Sequence, residues 1–205
     1  MTVEHVAILV EEASMAAALH LLLPRLLGEL SFEVHPHQGK HDLLARLPGK
    51  LRGYASWLPE TWRIVVVVDR DNDDCHELKA RLEQAAALAR LTTRRAAGGG
   101  KWAVVNRLAI EELEAWYFGD WDAVRSAYPR VSATIPRQAS YRNPDGIAGG
   151  TKEAFERVLQ KSGYFAGGLR QIEAARAIGA RMDPNDNTSP SFHALKVALA
   201  DLTAP

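Results

Sequence analysis

Five consecutive β-branched residues, Ile64-Val65-Val66-Val67-Val68, break off abruptly at Asp69-Arg70-Asp71-Asn72-Asp73-Asp74. An apolar run with no polar alternation fits a strand covered on both faces, the kind found in parallel sheets. A chain containing such a strand must also supply helices for both of its faces. The acids then fall at the carboxyl end of the strand, where open α/β sheets receive their ligands. If the backbone stays extended through Asp71, the two-residue period projects Asp69 and Asp71 to one side and Arg70 to the other. Two carboxylates so placed repel each other, and a hard divalent cation such as Mg²⁺ or Mn²⁺ relieves the repulsion. Asp and Asn also form turns and caps. Asp73 or Asp74 is placed to cap a helix over Cys75–Leu91, a task that needs only one carboxylate of the four.

The rest of the chain supplies the partners this strand requires. Val3–Val10 reads as a second apolar strand running into Glu11-Glu12-Ala13-Ser14. Met15–Leu30 then carries leucines 19, 22, 23, 26, 27 and 30 at helical spacing, with Pro24 as a kink and Gly28 as a stop. Ser31–His35 is a short strand with Phe32 and Val34 on one face. In the loop His35–His41, the three histidines have no cysteine or carboxylate at structural zinc spacing, so they read as loop histidines. Lys40 follows a glycine at a strand exit and opens a helical stretch to Leu47, where a cation meets either a phosphate or only solvent. Pro48–Trp62 reads as a connecting segment with a short helix. Gly98–Lys101 and Gly149–Lys152 both fail the Gly-x-x-x-x-Gly-Lys-Ser/Thr spacing of a phosphate loop and read as turns.

Trp102–Leu108 is a further strand, and Ala109–Asp120 reads as a helix that sets Glu111 and Glu114 one turn apart. That pair costs a few tenths of a kcal/mol (roughly 0.2–0.5) unless a cation lies opposite. Beyond Asp122 no strand pattern appears. Helical patterns at 122–128, 152–161, 169–180 and 192–202 follow one another, the last opened by Ser189 as cap and Pro190 at the first helical position. The expected fold is α/β: a mostly parallel sheet flanked by helices over residues 1–121, with a helical extension over 122–205 packed on the same core.

Composition sets the boundaries of function. The 205 residues are 47% hydrophobic, enough for an ordinary core, and 25 basic residues balance 25 acidic ones. With no net charge, no global field draws the chain to nucleic acid or membrane, and any phosphate recognition must be local. Arg137, Arg142, Lys152 and Arg170 are available for it, or form a solvated face. The single cysteine permits no internal disulfide. The longest apolar stretch, Met15–Leu23, is too short to span a membrane, and no leader pattern opens the chain, so a cytoplasmic protein without membrane contact is expected.

Taken in order, Leu9-Val10-Glu11, Gly39-Lys40-x-Asp42-Leu43-Leu44, Asp69-x-Asp71-x-x-Asp74-Cys75, Ile110-x-x-Leu113-Glu114-Ala115-Trp116 and Ser189-Pro190-Ser191-Phe192 resemble a bacterial Toprim-like family of unassigned function. Its members are often encoded beside an ATPase. The wider Toprim fold is shared by primases, topoisomerases and overcoming-lysogenization-defect nucleases. The resemblance implies that Asp69 and Asp71 hold Mg²⁺ or Mn²⁺, with Glu114 as a further ligand. Glu11 would ligate the ion or act as general acid/base. Lys40 would offset charge on a phosphate, and Arg70 would contact substrate. Two positions depart from the pattern. Glu12 stands where a glycine usually follows the first glutamate, and Met15 replaces a second acid, which weakens the case for a two-metal site.

The expectation is a divalent-metal-dependent phosphodiester hydrolase, a nuclease acting on DNA or RNA, with an ATPase as possible partner and bacterial defence as the role suggested by relatives. The rival is a non-catalytic Toprim-like subunit that binds an ATPase or nucleic acid. A nucleotide-binding regulator ranks last for want of a glycine fingerprint.

Overall fold

The valine run is the middle of a strand from which no side chain of residues 64–68 reaches solvent. The structure is a computed structural model that describes residues 2–203. Strand β3 (Trp62–Asp69) lies between β1 (His5–Val10) and β4 (Val104–Ala109), with β2 (Ser31–Pro36) outside β1. The order is β2-β1-β3-β4, and every pairing is parallel.

Because side chains alternate along a strand, each buried strand serves two cores. Val6, Ile8, Val10, Val65, Val67 and Val105 face one of them, and Leu9, Ile64, Val66, Val68 and Val104 face the other. Parallel neighbours need crossovers, and these divide between the faces. Helix α1 (Ala13–Leu27) joins β1 to β2 on the first face. Helix α2 (Lys40–Ala55), between β2 and β3, and helix α3 (Cys75–Leu88), between β3 and β4, cover the second. The chain therefore leaves β1 in one direction and returns through β3 in the other. The gap between the carboxyl ends of β1 and β3 is the switch point at which such sheets open a crevice.

Helix α2 is longer than the sequence suggested. It runs on through Pro48 to Ala55, because Leu43, Leu47 and Leu51 form one buried stripe at four-residue spacing. Burying three leucines at roughly 1.5–3 kcal/mol each outweighs the one backbone bond that proline removes. Helix α1 keeps Pro24 in its last turn and stops at Gly28, whose φ of 58° suits glycine.

A second difference lies after β4. The segment read as one helix from Ala109 is instead the end of β4, a turn over 110–113, and then α5 (Glu114–Gly119) and α6 (Trp121–Ala127). Glu111 sits in the turn at φ 61°, so Glu111 and Glu114 do not share a helical face. Tertiary contacts impose this: the Arg70 amide donates to Ala109 O at 2.8 Å and the Asp71 amide to Glu111 O at 2.8 Å. These bonds carry the β3–β4 pairing past the strand ends. Asp120 breaks α5 from α6, accepting the Ala123 amide at 3.0 Å and the Asp183 amide at 2.7 Å.

The later helices, the short α4 (Arg94–Ala97) aside, are α7 (Thr151–Lys161), α8 (Gln171–Gly179) and α9 (Pro190–Thr203). They bury Phe155, Ile178, Phe192 and Leu199 in the same core as β1 and α1. Ser189 caps α9 as read, accepting the Phe192 amide at 3.2 Å, and Asp145 clamps it by accepting from Ser189 Oγ at 2.6 Å and the Ser191 amide at 2.7 Å. No helix among the described residues is long and apolar enough to cross a membrane.

Candidate functional site

The two apolar strands deliver their acids to the switch point. Glu11 follows the last residue of β1, and Asp69 is the last residue of β3. Glu11 Oε2 accepts the Asp69 amide at 3.3 Å, so the first glutamate and the first aspartate are neighbours, as their positions after adjacent parallel strands require. Glu114, the first residue of α5, is brought to the same place by β4 and is 3% exposed. Together they open on a cavity of about 960 Å³. Eight carboxylates line it (Glu11, Glu12, Asp69, Asp71, Glu111, Glu112, Glu114 and Glu153), against the cations of Arg70 and Lys152.

Crowding of like charge and loss of water dominate the electrostatics. Burial pushes Asp69 well above the usual carboxylate range, and the charges of Glu11 and Glu114 add to the push. Glu11 is pushed up to about 7, first by burial and then by Asp71, with Lys40 opposing. Glu114 is pushed up to about 8 by burial and by Glu112. Asp69 Oδ1 is buried without a hydrogen-bond partner, and so is the Tyr117 hydroxyl, whose pKa is raised by burial and then by Glu114 and Asp69. A buried oxygen left unpaired is costly, so a set of this kind calls for a proton or a cation.

Asp71 departs from the expected geometry. The strand ends at Asp69, and Asp71 turns away at φ 47°, its amide held by Glu111 O and the Asp73 amide held by Arg70 O at 3.0 Å. Asp69 and Asp71 are thus not two residues of one extended run, although both line the cavity. Lys40 explains where Asp71 points: its Nζ lies 2.6 Å from Asp71 Oδ2, 2.8 Å from Asp73 Oδ2 and 2.9 Å from Arg70 O. Burial alone would lower the Lys40 ammonium, but the hydrogen bonds to Asp71 and Asp73 outweigh it and the net shift is upward. Lys40 is therefore a clamp on the turn after β3 and does not line the cavity wall. Arg70 does line it, with its guanidinium in an ion pair with Glu111. Asp74 is the α3 cap, accepting the His76 and Glu77 amides at 2.8 and 3.0 Å.

The loop histidines do not converge. His37 is buried with Nδ1 2.8 Å from Val10 O, His35 pairs with Glu33, and His41 is exposed. Among the described residues, no three His, Cys, Asp or Glu side chains already stand together as an ion cage. The donor set is nonetheless all hard oxygen, and the unpartnered Asp69 Oδ1 gives it an open valence, which suits Mg²⁺ or Mn²⁺ better than a softer ion.

Of the wall formed by residues 146–153, only Lys152 was expected, as a cation available to a phosphate. Gly149 and Gly150, at φ 81° and 87°, bring the start of α7 to the rim, and Glu112 fastens it by accepting from Thr151 Oγ1 at 3.1 Å and the Lys152 amide at 2.8 Å. The Gly-Gly-Thr-Lys segment is no phosphate loop by spacing, yet it forms one wall of the acidic cavity. Only a contact across forty residues reveals this.

A family model described as a domain of unknown function, DUF4276, matches residues 10–200. The chain belongs to the DUF4276 family. Neither the curated proteins nor the solved structures contain a match. The DUF4276 span runs from the last residue of β1 into α9, so it holds every acid of the cavity, the Lys40 clamp and the Asp145–Ser189 tie.

Proposed function

We propose that this DUF4276 protein is a Toprim-like, divalent-metal-dependent phosphodiester hydrolase acting on nucleic acid. The supporting observation is the buried Asp69 carboxylate, one oxygen unpartnered, between Glu11 and Glu114 at the switch point of a parallel sheet. Asp69, Asp71 and Glu114 would hold the ion. When bound there, a hard divalent cation supplies charge neutralisation at a phosphoryl oxygen and lowers the pKa of water. Glu11 stands beside Asp69 and is the residue to take the proton from an attacking water. Lys40 positions Asp71 through their ion pair, and Arg70 and Lys152 are the cavity's two cations for a phosphate. The acids repel an anionic substrate when no ion is present, so the reading requires metal to bind first.

The test is cleavage of circular and single-stranded DNA and of RNA in Mg²⁺ or Mn²⁺, by wild type, Asp69→Asn and Glu11→Gln. Metal-dependent cleavage by wild type that is lost in both variants, with folding checked by circular dichroism, supports the reading. Equal inactivity of all three on every substrate with both metals rejects it.

The second reading, a non-catalytic subunit that binds an ATPase or nucleic acid, is favoured by two observations. Asp71 is already neutralised by Lys40, and the described acids form no ready-made cage. Co-purification of an ATPase with wild-type and Asp69→Asn protein alike, without cleavage, selects it.

A further inference from the structure

The opposite end of the sheet has the reverse chemistry. Three of the chain's five tryptophans gather there: Trp57 just past α2, Trp62 opening β3, and Trp102 just before β4. Trp57 is 56% exposed and meets Trp62 edge-on at 5.5 Å and Tyr54 at 5.4 Å. Trp62 packs at 4.0 Å on His5, and the Arg63 guanidinium lies 5.6 Å from the centre of the Trp102 ring. Cavities of about 410 and 470 Å³ meet at Trp102, which lines both.

Four cations line this double groove (Arg63, Arg90, Lys101 and Arg94), against two acids, Glu60 and Asp201. Glu60 lies 3.6 Å from Lys101, and Asp201 pairs with Arg94. Arg63 is pinned by the Glu60 and Trp62 carbonyls at 2.6 and 2.7 Å, and Arg90 is exposed. The walls of this groove thus carry two cations in excess, Arg63 and Arg90, with Glu4 nearby on Thr61, whereas the cavity at the other end of β3, some eight residues or roughly 23 Å away, is acidic.

Tryptophan rings are costly to leave in water; here Trp57 and Trp62 hold each other edge-on, and Trp102 lies beside the Arg63 guanidinium. An apolar peptide would cover the rings and leave the excess positive charge unmatched. A strand with flat bases and regularly spaced phosphates matches both features. We propose that this groove binds single-stranded nucleic acid, with one base stacked on Trp102 in the groove wall, another on the exposed Trp57 that stands outside both cavities against Trp62, and phosphates met by Arg63, Arg90 and Lys101. The proposal does not rest on the acidic cavity, and either site can fail without the other.

The test is fluorescence anisotropy of a labelled short oligothymidylate with the full-length protein in EDTA, so that cleavage plays no part, together with quenching of tryptophan emission. Saturable binding that quenches emission and weakens with salt is expected. Trp57→Ala, an exposed position, should weaken binding about tenfold, as loss of one stacked base does. Arg90→Glu with Lys101→Glu should weaken it further and flatten the salt dependence. Absence of binding at low salt, or binding unchanged by both variants, overturns the proposal. Equal competition by thymidine monophosphate would make this a free-nucleotide site, and equal competition by a polyglutamate peptide would reduce it to charge alone. Either result overturns it too.

Discussion

Replacing Lys79 with methionine should stabilise the protein at neutral pH and abolish a rise in stability on the alkaline side. Lys79, on α3, sends its Nζ under β4 to the Asn106 carbonyl, 3.9 Å from Glu83 and close to the Arg107 charge. Burial, then Arg107, lowers it from 10.5 to about 8. The folded state therefore gives up this proton earlier than the unfolded chain does. Between about pH 8 and 10.5 the unfolded state holds more protons, so this group makes stability rise with pH across that window and penalises folding fully below it. The interval corresponds to roughly 3 kcal/mol, reduced to about 2 because a fifth of the side chain is exposed. Methionine keeps the stem and removes the charge, but gives up a hydrogen bond worth about 1 kcal/mol. Asn106 O still accepts from Arg107 Nη1 at 3.2 Å, so it is not orphaned. The net gain at pH 7 is about 1 kcal/mol. Urea unfolding of both proteins across the window gives a difference curve in which every other group cancels. A wild type whose advantage over the variant stays flat or falls from pH 8 to 10, or a variant less stable at pH 7, would refute the reasoning.

A Cβ on Gly119 would sit 2.2 Å from Asn187 Oδ1 and 2.9 Å from the Ser189 amide. Gly119→Ala should therefore cost about 1–3 kcal/mol, read as a lowered melting temperature, and an unchanged melt contradicts that packing. Asp145→Ala frees the Ser189 hydroxyl and the Ser191 amide at the α9 start, and about 1–3 kcal/mol should be lost in denaturant titration. Mn²⁺ at about a hundred times its dissociation constant should add about 2.7 kcal/mol to wild-type stability and nothing to Asp69→Asn. Equal shifts in a thermal melt would place the ion elsewhere.

The sheet was legible because β1 and the heart of β3 are continuous apolar runs, which leave little other account of their burial, whereas β4 offers only Val104-Val105 before Asn106 and Arg107. Glu11 and Asp69 were legible for the same reason, as the first charges after strands that must be neighbours. Asp71 was misplaced because its left-handed turn is set by the Glu111 carbonyl and the Lys40 ammonium, partners that local spacing does not show. The helix expected from Ala109 failed in the same way, since backbone pairing with the end of β3 overrides helical propensity at Glu111. Glu112 carried no local signal, and the Gly149–Lys152 segment offered only the Lys152 charge, its glycines failing phosphate-loop spacing. Trp57, Trp62 and Trp102 looked unremarkable one at a time, and only the strand starts bring them together.

The larger of the two cores has a consequence for synthesis. Val6, Ile8 and Leu22 leave the ribosome well before Phe192 and Leu195, which complete the same apolar interior and follow 170 to 189 residues later. Until then a nascent chain carries an unfinished greasy face, so deleting α9 should yield aggregates in the cell.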